Sequence, residues 1–143
     1  MSTKIDLVNH FLTLWWAGDI QGASSLLTEE FLWENMPWPE PEKASHGRRK
    51  FEEISLGWRK ICEGGHHVNT HEYEAENTVI LERVETMTVS GYEMTLYVAG
   101  FFTLDGNRIS GWRDYYDNES YMRQMKEAGV EYRAAELTDK LIG

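Results

Sequence analysis

The stretch VILERVETM, residues 79–87, decides the fold, because it places charges inside what otherwise reads as a buried strand. Side chains on a strand alternate between two faces. One face receives Val79, Leu81, Arg83, Glu85 and Met87, and the other Ile80, Glu82, Val84 and Thr86. Neither row is cleanly polar. Arg83 and Glu85, two residues apart on one face, sit among apolar neighbours, which is costly unless the charges are paired. Working outward, the strand extends over TVILERVETMTV, residues 78–89, between segments of the same character. These are HHVNTHEYEAEN (66–77), YEMTLYVAGFFTL (92–104) and RISGWRDYYD (108–117), with hairpin turns at Ser90-Gly91 and Asp105-Gly106-Asn107.

The sequence before this β region is helical. Ile5, Val8, Phe11, Leu12 and Trp15 recur at spacings of three and four, with Ser2 or Thr3 as N-cap and Gly18 at the end. Asp19 caps a short second helix over DIQGASSLL. A third fits GRRKFEEISLGWRKI (47–61) and is expected to stop at Gly64-Gly65. Between them, Phe31–Met36 reads as a short extended piece, followed by a loop forced by Pro37, Pro39 and Pro41. Asn118 or Ser120 could cap a last helix over Tyr121–Ala128. The expected architecture is α+β: one domain over residues 1–143, with three N-terminal helices on the concave face of a strongly curved mixed or antiparallel sheet.

Composition narrows the function classes. A net charge of −10 argues against nucleic acid and anionic membrane surfaces as partners. A single cysteine, Cys62, leaves no internal disulfide and no CxxC metal pattern, and the cytoplasm is the expected location. No signal-like or membrane-spanning run is evident. Aromatics make up 13 % of the chain and include six tryptophans, so a well-packed core is expected.

Two further patches carry chemistry. In GWRDYYD (111–117), Trp112, Asp114 and Tyr116 share one face; in WENMP (33–37), Trp33 and Asn35 do. Two carboxylates, a guanidinium, an amide and aromatic walls suit general acid–base hydrolysis of a neutral apolar substrate. The same residues could equally form a buried structural ion pair, with Trp112 and Tyr116 as ordinary core and Asn35 as a loop cap. His66, His67 and His71 lack a completing ligand set, although His67 and His71 would share a strand face. Cys62 has no evident base partner.

WENMP, LERVE and GWRDYYD, in that order and over most of the chain, resemble the limonene-1,2-epoxide hydrolase family, which has an NTF2-like, SnoaL-like cone-shaped barrel fold. The resemblance implies Glu85 as the acid that protonates an epoxide oxygen, Asp114 as the base for water, Arg83 as the bridge between them and Asn35 as a water ligand. It implies one-step opening of a small apolar or terpenoid-like epoxide to a vicinal diol, with no cofactor, no metal and a homodimeric assembly. Trp33, Met36, Leu81, Trp112 and Tyr116 are the expected pocket residues. Two positions depart from the pattern. Glu85 stands where the family has Asp. Trp33 stands where the family has a Tyr that holds the water, and an indole N–H donates but cannot accept. An isomerase or epoxide-opening cyclase using the same acids, or a non-catalytic binding module, are the alternative readings.

Overall fold

The computed structural model describes residues 2–130. The elements are α1 (Thr3–Trp16), α2 (Ile20–Ser24), β1 (Leu27–Asn35), β2 (Ala44–His46), α3 (Arg48–Trp58), β3 (Cys62–Ala75), β4 (Thr78–Val89), β5 (Tyr92–Asp105), β6 (Arg108–Tyr116) and α4 (Asn118–Glu127). The fold is α+β, and its sheet is curled and open rather than a closed barrel.

Local chemistry sets the helix ends. Ser2 Oγ accepts from the Ile5 N–H at 3.1 Å, and Asp19 accepts from Gly22 at 2.9 Å, each satisfying a donor the helix leaves free. α1 ends before Gly18, whose φ of +84° few other residues adopt cheaply. Its buried stripe, Val8, Phe11, Leu12 and Trp16, packs on β3 and β4, while α3 packs on β1 and β2. Phe11 meets the rings of Phe51 at 5.7 Å and Trp112 at 5.5 Å, so the helix is anchored into the aromatic centre of the core.

The sheet runs β2-β1-β6-β5-β4-β3. The antiparallel run from β3 to β6 follows the expected hairpins, whereas β1 joins β6 in parallel, making the sheet mixed. β2 is an edge strand on β1, in a region that the sequence presents only as a proline loop. The β4 row Val79, Leu81, Arg83, Glu85, Met87 is buried throughout. Alternation therefore assigned the inner face correctly, charges included.

Three local expectations are corrected. α3 ends at Trp58, and Gly64-Gly65 lies within β3 instead of stopping a helix. A Cβ at Gly65 would come within 2.8 Å of the Trp16 ring, so the glycine leaves room for α1 to pack. α4 begins at Asn118 because Asp117, rather than Asn118 or Ser120, caps it through Glu119 N–H. Finally, a register shift between Asn69 and His71 turns His67 inward beside Asn9 and leaves His71 on the outer face near Glu82. His67 and His71 thus do not share a face. No helix among the described residues is long and apolar enough to cross a membrane.

Candidate functional site

A cavity of about 410 Å³ opens between the helices and the inner sheet face. All six tryptophans line it: Trp15, Trp16, Trp33, Trp38, Trp58 and Trp112. Asn35, Glu85, Asp114, Tyr116 and Tyr121 bring polar atoms to the wall, and Glu42, Ser45 and Lys50 also contribute. A mostly apolar cavity with a few converging polar groups is the usual form of a small-molecule site.

The polar groups are organised by Arg83, which is 2 % exposed and lies beneath the cavity wall. Its Nη2 stands 2.8 Å from Glu85 Oε2 and 2.9 Å from Asp114 Oδ2, while its Nε donates to Glu85 Oε2 at 3.0 Å. One guanidinium edge therefore bridges both acids in a fixed fork geometry. Burial alone would lower the proton affinity of Arg83. The two carboxylates outweigh it and hold the guanidinium above its ordinary value.

The other Asp114 oxygen, Oδ1, accepts from the Trp112 indole N–H at 2.7 Å. Asp114 is thus held from both sides. Glu85 has its only hydrogen bonds through Oε2, among the described residues. Burial pushes the Glu85 carboxyl above the usual range; Arg83 opposes that rise and the nearby Asp114 charge adds to it.

Asn35 and Asp114 are directly paired across the parallel β1–β6 ladder, which puts the amide beside the carboxylate. Tyr116, two residues beyond Asp114 on the same face, donates its hydroxyl to Asn35 Oδ1 at 3.2 Å. Burial, with smaller contributions from neighbouring Tyr121, Asp114 and Glu85, raises the Tyr116 phenol and keeps it neutral. Trp33 stacks on Trp112 at 5.0 Å and 14°, with its own N–H buried and unpartnered. It acts as a wall behind the ring that holds Asp114.

The structure thus brings Asn35, Arg83, Glu85, Asp114, Trp33, Trp112 and Tyr116 together. Two expected pocket residues are elsewhere. Leu81 is fully buried in the core, one inward position before Arg83, and Met36, the residue after β1, does not line the cavity. Tyr121, Trp15 and Trp16 are wall residues that the sequence presents only as helix positions. Gly100 on β5 was also missed. A Cβ there would overlap Arg83 Nη1 and sit 2.6 Å from Asp114 Oδ1, so the charged cluster occupies the space a side chain would need. A lone glycine within an apolar strand is the signal for such close approach.

Fold and site together define an α+β cup whose aromatic interior is backed by an acid–arginine–acid cluster. Residues 2–140 match the limonene-1,2-epoxide hydrolase catalytic domain, and the chain belongs to that family. It is 27 % identical over 111 residues to the epoxide hydrolase EphG of Mycobacterium tuberculosis, covering 77 % of this chain and 70 % of that protein. Its fold is similar to a solved LEH-like epoxide hydrolase from M. tuberculosis, with a TM-score of 0.75 and 20 % identity over 87 % and 90 % of the two chains. A putative SnoaL-like polyketide cyclase from Shewanella putrefaciens reaches a TM-score of 0.76 at 12 % identity over 89 % and 88 % of the chains, a likeness of fold alone.

Proposed function

We propose that the chain hydrolyses a small apolar or terpenoid-like epoxide to a vicinal diol in one acid–base step. The observation that carries this reading is the pair of unequal acids bridged by Arg83 at the wall of one aromatic cavity. Glu85, whose burial favours the protonated form, donates its proton to the epoxide oxygen as the carbon–oxygen bond breaks. Asp114, ion-paired to Arg83, takes a proton from water as the water oxygen bonds to carbon. Arg83 holds both carboxyls at fixed separation and balances their charge. The step leaves Asp114 protonated and Glu85 ionised, and exchange with solvent resets them. The stacked indoles favour a ring-sized apolar skeleton, and a cavity of this volume accommodates one.

Limonene oxide, cyclohexene oxide and styrene oxide form a suitable assay panel, with diol followed by chromatography. The folded protein should convert at least one of them, and Asp114→Asn should abolish that turnover. A folded protein that yields no diol from the panel would sink the proposal. The same reading includes one domain over the whole chain, a cytoplasmic setting and a homodimer. The outer sheet face supports the last, since Tyr97 is 76 % exposed, Val68 58 % and Tyr115 43 %. Light scattering at micromolar concentration tests the dimer, and Tyr97→Glu should dissociate it.

A further inference from the structure

We propose that the Tyr116 hydroxyl is a water-holding group of this site, taking over on β6 the place that Trp33 leaves vacant on β1. The inference rests on the hydrolase reading above and adds a residue to it. A water that attacks carbon from a buried site must keep one lone pair free, so it accepts at most one bond and is held mainly through acceptors for its two hydrogens. Asp114 supplies one. Trp33 cannot supply the other, because its indole has no acceptor and lies stacked on Trp112 with its N–H buried.

Tyr116 meets the requirement. Its hydroxyl hydrogen is committed to Asn35 Oδ1 at 3.2 Å, which turns the oxygen lone pairs into the offered groups. Trp38 Nε1 is near enough to lower the phenol slightly but makes no hydrogen bond, and a hydroxyl oxygen with two lone pairs would keep one free even if it did. Asn35, Asp114 and Tyr116 all line the cavity. Asn35 faces Asp114 across the β1–β6 ladder, and Tyr116 follows Asp114 at the next inward position. A water among the three would donate one hydrogen to Asp114 and one to Tyr116 Oη. It could accept one bond from Asn35 Nδ2, keeping its last lone pair for the epoxide carbon. In the reaction the water's oxygen bonds to carbon, the first hydrogen passes to Asp114 as a proton, and the epoxide oxygen leaves carbon with the proton from Glu85. The second hydrogen stays on the new hydroxyl.

Tyr116→Phe tests this, since it removes the hydroxyl and keeps the ring. With the epoxide panel, kcat should fall about tenfold or more while KM changes little, and the melting temperature should drop by no more than the few degrees expected when Asn35 Oδ1 loses one donor. Adding Trp33→Tyr to Tyr116→Phe should recover rate, although Trp33→Tyr alone should gain little. A kcat within about twofold of the parent in Tyr116→Phe would overturn the proposal. Crystal structures of the parent and of Tyr116→Phe provide a readout independent of turnover. The parent should hold a water bonded to Asp114, Asn35 and Tyr116, and the variant should lose or displace it. A parent site with no such water, or a water unmoved in the variant, refutes the assignment. If no epoxide is turned over, the hydrolase reading falls, while this water site is still decided by the two structures.

Discussion

Gly100→Ala adds one methyl group and should damage the site more than any other alanine substitution of that size. The new Cβ would overlap Arg83 Nη1, stand 2.6 Å from Asp114 Oδ1 and press on Phe102 Cε1 at 3.1 Å. Relief requires something to move by roughly 1 Å, the difference between such contacts and ordinary packing distances. Arg83 is poorly placed to yield. Its guanidinium is planar, and Nη2 is held by Glu85 at 2.8 Å and Asp114 at 2.9 Å, so rotation breaks a buried ion pair. β5 is equally constrained, because Gly100 is paired to Leu81 on one side and Asp114 on the other. Overpacking of this kind costs about 1–3 kcal/mol, which for a chain of this size lowers the melting temperature by roughly 4–12 °C. A displacement of about 1 Å among reacting groups costs on the order of 100-fold in rate, so kcat/KM should fall further than stability. Calorimetry and diol formation measure the two effects on one sample. A Gly100→Ala protein with parental kcat/KM and melting temperature would show that the cluster yields freely and that the packing argument is wrong.

Three further outcomes follow from the same contacts. Trp112→Phe keeps an aromatic ring against Trp33 but removes the donor to Asp114 Oδ1, a charge-assisted bond worth about 1.5–3 kcal/mol, so kcat should fall roughly 10–100-fold with KM little changed. A parental kcat would remove Trp112 from the positioning of Asp114. Because the proposed acid role needs Glu85 protonated and burial raises its proton affinity, kcat/KM should decline as pH rises beyond the ordinary carboxyl range. The same shift means the fold binds this proton more tightly than the unfolded chain, so Glu85 favours folding less as pH rises through that window; a rate that climbs steadily with pH would contradict the acid role. His67 is pushed down to about 4, mainly by burial and then by the Arg83 charge. The unfolded chain therefore takes up this proton first, stability present near neutrality is lost as pH falls from about 6.5 towards 4, and His67→Asn should flatten that part of a urea-denaturation series.

What could be read from the sequence was whatever alternation or a cap residue encodes locally. The inner row of β4 and the shared face of Trp112, Asp114 and Tyr116 follow from a period of two, and Ser2 and Asp19 announce their helices. The features missed depend on partners far along the chain. β2 has three residues and no apolar pattern, and exists because β1 offers an edge. Gly65 and Gly100 look like stops or gaps until Trp16 and Arg83 occupy the space above them. The shift between Asn69 and His71 puts His67 and His71 on opposite faces, and period-two counting has no means of detecting one extra residue. Leu81 shares the face of Arg83 but not the cavity, because alternation assigns a face and leaves depth along the strand open.

The proposed assignment of acid and base rests on a difference in how the two carboxylates are held. Asp114 has a donor on each oxygen, Arg83 on Oδ2 and Trp112 on Oδ1. Glu85 receives both of its Arg83 contacts on Oε2, so a proton on Oε1 displaces no existing bond among the described residues. The charge count points the same way. Arg83 with two ionised acids leaves one uncompensated negative charge in a buried cluster, and a single proton neutralises the set. The oxygen with no competing donor is where that proton costs least. Glu85 also lines the cavity, which is where the proposed proton donor has to stand. The longer side chain at position 85 is consistent with this arrangement: the extra methylene lets Oε2 reach both Nε and Nη2 while Oε1 stays free to give its proton away.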